Sequence, residues 1–196
     1  MSIAKTSVAL AVAMLFAGAA VAQTTGSTVQ RDVNQQNRIE QGLQSGELTT
    51  REAGQLERQE ANVERMQSNA LKDGSLSPAE KARLQRAQNK VSSDIYRDKH
   101  NAALGSPNSA SSKRMQADVQ RNAKQQARIE QGVQSGALTN RDAASHERGQ
   151  AHVDRTESRA AADGHVGPVE QASIQARENH QSNRIYRKKH NAAEKS

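Results

Sequence analysis

An all-α fold of two tandem three-helix units, with short capped turns and a flexible linker between the units, is predicted by three features of this 196-residue chain. The first is an internal repeat: "RIEQGLQSGELTTREA" from Arg38 returns as "RIEQGVQSGALTNRDA" from Arg128, and "IYRDKHNAA" from Ile95 returns as "IYRKKHNAA" from Ile185, both offset by 90 residues. A constant offset leaves no room for an insertion within the unit, so each copy is one structural unit. The second is helical periodicity: Val29, Val33, Ile39 and Leu43, then Ala53, Leu56, Val63, Met66 and Ala70, then Leu84, Val91 and Ile95 fall at steps of three to four or their multiples. The third is punctuation, because every interruption of that period carries glycine followed by a capping residue.

Taken in order, residues 1–22 hold one lysine, Lys5, an apolar run and Ala20-Val21-Ala22, the pattern of a signal peptide cleaved before Gln23. A periplasmic or secreted mature protein is expected, with a disordered start over 23–28. Repeat 1 then spans 29–103, with helices expected at about 30–44, 50–72 and 78–99. Its corners are "SGELTTRE", where Gly46 ends one helix and Thr49 and Glu52 form a capping box, and "DGSLSPAE", where Gly74, Ser77, Pro78 and Glu80 repeat those roles. Residues 104–116 have linker composition. Repeat 2 spans 117–193 with corners at Gly136, Thr139 and Asp142 and at Gly164, Gly167, Pro168 and Glu170, and 194–196 form a tail. It is the more degenerate copy: Leu56, Met66, Leu71 and Val91 become His146, Thr156, Ala161 and Gln181. Each unit has a thin apolar core and stands to gain by docking on its twin, on a second copy or on a partner.

Composition narrows the function. The chain has no cysteine, which removes disulfides, thiolate metal sites and cysteine nucleophiles. Loss of Lys5 leaves 27 basic against 21 acidic residues, interspersed, so an acidic envelope component is a reasonable partner class. Nucleic acid is not, because Tyr96 and Tyr186 are the only aromatics beyond the signal. No later segment has the length and apolarity to span a bilayer. No serine sits in a nucleophile elbow and no carboxylate pair lies within an apolar stretch, so no catalytic residue and no enzyme is expected.

The outline of Asn69–Glu80, "NALKDGSLSPAE", resembles the EF-hand family at the level of spacing, with Gly74 and Leu76 in place. That resemblance implies calcium ligation by Asn69, Asp73, Ser77 and Glu80, although Leu71 stands at a ligand position and the other three loops depart further, one starting on Arg159. A capped corner explains the same residues. Histidines offer a transition-metal alternative in repeat 2, with His146 and His180 as the candidate pair; no H-E-x-x-H pattern accompanies them. The twice-presented cluster Tyr96, Arg97, Lys99 and His100, with Tyr186, Arg187, Lys189 and His190, suits helix termination and also forms a candidate partner-binding patch.

With its "SGxLT" and "DGxLS" corners and "IYxxKHN" ends, the chain resembles small exported tandem-repeat proteins of Gram-negative bacteria with EF-hand-like corners. The resemblance implies an envelope location and a stress-related or metal-related role. The expected function is therefore a non-enzymatic periplasmic or secreted helical interaction or stress-response protein without a cofactor. The alternative is a cation-binding protein that uses the loops for calcium or the repeat-2 histidines for a transition metal.

Overall fold

The structure, a computed structural model, describes residues 24–193; the expected signal peptide, its cleavage site and the C-terminal tail lie outside the described residues. The described residues form six helices and no strand: α1 (Thr25–Ser45), α2 (Thr50–Ala70), α3 (Pro78–Lys99), α4 (Ala110–Gln134), α5 (Asn140–Ala160) and α6 (Pro168–Ala193). No helix among them is long and apolar enough to cross a membrane.

The punctuation acts as its chemistry predicts. Gly46, Gly74, Gly136 and Gly164 are the four residues with positive φ among those described, each just beyond a helix end, where an L side chain would be strained. Thr49 with Glu52, Ser77 with Glu80 and Thr139 with Asp142 close capping boxes. At the fourth corner Gly167 has no side chain to offer, but its N–H still donates to Glu170 at 2.8 Å. Two boundaries differ from expectation. Thr24 and Ser27 make a further capping box, so α1 starts at Thr25 within the stretch expected to be disordered. Ser109 caps α4, so a helix occupies the second half of the expected linker, and the Gly105 N–H bonds the Gly46 carbonyl at 2.9 Å in the first half.

The closest helix pairings run between the repeats. α1 packs along α4 and α2 along α5, while α3 lies on α1 and α2 and α6 on α4 and α5. The pairing is antiparallel and reciprocal. Arg51 donates to the Asp163 carbonyl at 2.8 Å and its copy Arg141 donates to the Asp73 carbonyl at 3.1 Å, as a twofold axis between the repeats requires. Glycine permits the close approach: a Cβ on Gly54 would lie 2.5 Å from the Ala161 Cβ. Both repeats supply both apolar clusters. Ile39, Leu43, Leu56 and Ile95 pack with Met115, Val119 and Ile174 at one end, and Ile129, Leu138 and Ile185 pack with Val29 and Leu71 at the other. Between these ends lies a layer of buried polar and acidic side chains.

Candidate metal centre

Each inner helix carries its core stripe through the middle of the bundle, but with polar residues in the stripe. On α1 the buried face runs Val29, Asp32, Gln35, Gln36, Ile39; on α2 it runs Leu56, Glu57, Glu60, Val63, Glu64, Gln67. α4 adds Asn122, Gln125 and Gln126, and α5 adds Glu147, Gln150, Asp154 and Glu157. The spacing of three to four residues that turns Leu43 and Ile129 inward turns these carboxylates inward as well. Asp32, Glu57, Glu60, Glu64, Glu147, Asp154 and Glu157 are all at most 1% exposed. None of the seven forms an ion pair with Lys, Arg or His among the described residues.

The tightest group joins Glu57, Asp154 and Glu157, which bring one oxygen each to within 4.8 Å of one another. Amides from the other two inner helices hold them. Asn122 Nδ2 donates to both Glu157 oxygens at 2.8 and 3.0 Å and reaches Asp154 at 3.3 Å, while Gln36 Nε2 donates to Glu57 at 3.0 Å. Gln150 in turn donates to Asn122 Oδ1 at 3.3 Å. The donors are thereby used up and acceptors remain. Fifteen buried carboxylate or amide oxygens accept no hydrogen bond among the described residues, including one each of Glu57, Asp154, Gln36 and Gln150 and both of Glu60; against them stand only Ser68, His146 and Arg155 as residues with other unpaired atoms. A buried charge with neither partner nor hydrogen bond costs several kcal/mol. Ionised carboxylates in such a layer need compensating charge, carried by protons or by a cation.

Burial and mutual repulsion set the proton affinities. Burial pushes Asp32 and Glu57 up to about 7 against the opposing amide bonds from Gln67 and Gln36. Burial, reinforced by neighbouring carboxylates, raises Glu60, Glu64, Glu147, Asp154 and Glu157 well above the carboxylate range. At the edge of the layer Asp118, bonded by Gln171 at 2.6 Å, is raised by burial to about 6. Glu178, ion-paired with Arg121, is raised by burial and by Asp118 to about 8, with Arg121 pulling the other way.

The residues singled out from sequence lie elsewhere. Asp73 Oδ1 accepts from the Ser75 N–H at 2.9 Å, and Glu80 Oε2 accepts from the Ser77 N–H at 2.9 Å and hydroxyl at 2.6 Å, so both acids have local turn and capping partners. Asn69 is exposed beside them. His146 is buried in the position of Leu56, with neither ring nitrogen hydrogen-bonded among the described residues, and burial lowers it to about 4. His180 is exposed and lines a groove with His152, whereas His146 lines a separate one with Asp142 and Lys188, so the candidate pair is not brought together in one groove. Tyr96 and Tyr186 are exposed and stack on His100 and His190, with ring centroids 4.1 and 3.9 Å apart. Arg97 pairs with Asp94 and Asp98, Lys99 with Glu47, and Lys189 donates to Gln131, while Arg187 lines the groove of His146.

No protein-family model matches this chain, and neither a curated protein nor a solved structure matches it. The chemistry of the site therefore rests on its own geometry. Carboxylate and carboxamide oxygens are hard ligands and suit calcium, magnesium or manganese, not a thiophilic metal. Two oxygens on opposite sides of a calcium ion stand about 5 Å apart. One oxygen each of Glu57, Asp154 and Glu157 lies within 4.8 Å of the others, inside that span.

Proposed function

We propose that this chain is a non-enzymatic cation-binding helical protein, exported as its first residues suggest, that holds a hard divalent cation in the middle of its bundle. The observation that carries this reading is the group Glu57, Asp154 and Glu157: fully buried, mutually within 4.8 Å and without a cationic side chain. A divalent ion replaces protons there and supplies the charge that the layer lacks. The cation-binding alternative is thus kept, while its ligands move from the corners and the histidines to the core.

The test is titration of the metal-free mature protein with calcium, manganese and magnesium at neutral pH, followed by calorimetry and thermal melting. A ligand that binds only the folded state raises its melting temperature. Expected are a rise with at least one of the three and its loss in the triple variant Glu57→Gln, Asp154→Asn, Glu157→Gln. No heat and no melting shift with any cation would sink the reading.

A second reading, docking of an acidic partner, is favoured by one observation. Tyr96 and Tyr186 remain more than half exposed and present the same tyrosine–histidine stack twice. Loss of anionic-ligand binding in the double variant Tyr96→Ala, Tyr186→Ala checks it.

A further inference from the structure

The α2–α5 pair is basic on its outer face where its inner face is acidic. Arg51, Arg58 and Arg65 on α2, with Lys72 just beyond its end, fall seven residues apart, as do Arg141, Arg148 and Arg155 on α5. Seven residues make about two helical turns, so each set follows one stripe. None of these side chains forms an ion pair among the described residues. The first of each stripe is engaged across the repeats, Arg51 on the Asp163 carbonyl and Arg141 on the Asp73 carbonyl. Further along, the stripes converge. A groove of about 310 Å³ is lined by Arg65, Ser68 and Lys72 from the α2 side and by Arg148, His152 and Arg155 from α5, with no Asp or Glu in its wall. Two donors of these residues lack partners: the hydroxyl of Ser68, a residue 1% exposed, and Arg155 Nη2 are buried and make no hydrogen bond among the described residues.

Like charges that converge repel one another, and a buried donor without an acceptor is costly. A ligand that answers both is an oxyanion with more than one negative charge and several acceptor oxygens. Guanidinium groups match phosphate oxygens with paired, charge-assisted hydrogen bonds. We propose that this groove binds a phosphate group, held by Arg65, Lys72, Arg148 and Arg155 with the Ser68 hydroxyl as a further donor. The repeat supplies an internal comparison that separates such a site from a generally basic surface. Shifted by 90 residues, the groove keeps its arginines as Arg155, Arg58 and Arg65, but Lys72 becomes Ala162, His152 becomes Asn62, and the serine, Ser158, is only half-buried. One site per chain is the consequence. It faces solvent on α2 and α5, apart from the acidic layer in the core, and does not depend on the cation reading.

Calorimetric titration of the full mature chain with inorganic phosphate and with glycerol 3-phosphate tests the site, alongside sedimentation with vesicles of phosphatidylglycerol and phosphatidylcholine. Expected is saturable binding of one phosphate group per chain. The loss of two charged donors in Arg148→Gln, Arg155→Gln should weaken it by about tenfold or more, and the loss of one neutral donor in Ser68→Ala by about threefold. The variant Arg58→Gln, Arg159→Gln removes the same charge from the copy of the groove and should leave the affinity unchanged. In the natural protein, phosphate should move the ring resonances of His152 and leave those of His165 in place, a readout that requires no variant. Absence of saturable binding, or equal weakening in the two double arginine variants, would overturn the site. Binding to vesicles without binding of either free phosphate would also overturn it and would assign the basic face to membrane headgroups.

Discussion

Glu80 and Glu57 are both acids at helical spacing, yet one is bound to a helix start and the other to the core. Glu80 completes a capping box with Ser77. Ser77→Ala is expected to lower stability by about 1 kcal/mol, a typical loss for a helix cap, and to leave the number of bound cations unchanged; a drop in cation affinity on calorimetry would return the ion to the corner. Glu57 and its neighbours carry the pH dependence. A carboxyl held at about 7 when folded, against an ordinary value near 4, binds its proton more tightly in the folded state. Its contribution is complete below the unfolded value and is lost as pH rises through about 7. His146 works in the opposite sense: lowered to about 4, it stabilises above its ordinary value near 6.5 and loses that contribution as pH falls through 4. Metal-free protein should therefore melt highest at mildly acidic pH and progressively lower toward pH 8. The cation should reverse the alkaline decline, and His146→Leu, which restores the residue of Leu56, should flatten the acid limb. Circular dichroism melts across pH, with and without chelator, check all three. The sequence makes Glu80 readable because a cap is a local pattern. Glu57 is harder to read, since charged residues at steps of three and four also describe a solvated face. The available signal was register: Glu57, Glu60 and Glu64 continue the stripe of Ala53 and Leu56, whereas Val33 and Met66, assigned to the core by their apolarity, are only half-buried.

Helices were the most legible level, because their ends are written in Gly, Thr, Ser, Pro and Glu at fixed offsets, and five of the six capping residues at their starts are Ser or Thr. Their partners were not legible, since amphipathic stripes say that a face is buried and not against what. Gly54 is the small residue that reveals the partner of α2. Alanine there gains up to about 1 kcal/mol of helix propensity, but its Cβ would meet the Ala161 Cβ at 2.5 Å, an overlap of the kind that costs about 1–3 kcal/mol. Gly54→Ala is expected to be destabilising on balance, with Ala161→Gly restoring much of the loss, and denaturant melts of the double-mutant cycle measure the coupling. A gain of stability in Gly54→Ala would show that α2 and α5 do not approach as described. In repeat 2 the equivalent of Gln59 is Gly149, and the space it leaves is filled by Gln181, which donates to the His146 carbonyl at 2.8 Å. Of the substitutions that read as decay of repeat 2, Gln181 for valine thus replaces apolar packing by a hydrogen bond to the α5 backbone, whereas His146 for leucine gains no side-chain hydrogen bond among the described residues.

For the molecule as a whole, the repeats are neighbours in sequence but interlocked in space. A chain cut in the linker would expose the faces that α1 and α2 turn to α4 and α5, and with them the apolar ends and the acidic layer, to which both repeats contribute. Exposure of the acids relieves their repulsion, but Ile39, Leu43 and Met115 lose their cover, at about 1.5–3 kcal/mol for each large side chain fully returned to water. A small helical unit with a net stability of several kcal/mol has no reserve for that loss. Residues 24–103 and 104–193 are therefore expected to be poorly folded as separate chains, to regain helicity on mixing if they associate, and to melt within the intact protein as one transition. Calorimetry of the full chain checks the last point: a single peak whose calorimetric and van't Hoff enthalpies agree is expected. Because the acidic layer is built from both repeats, a divalent cation should move that one peak as a whole. Two peaks, with only one of them shifted by cation, would mean that the repeats fold as separate units and that the ion belongs to one of them.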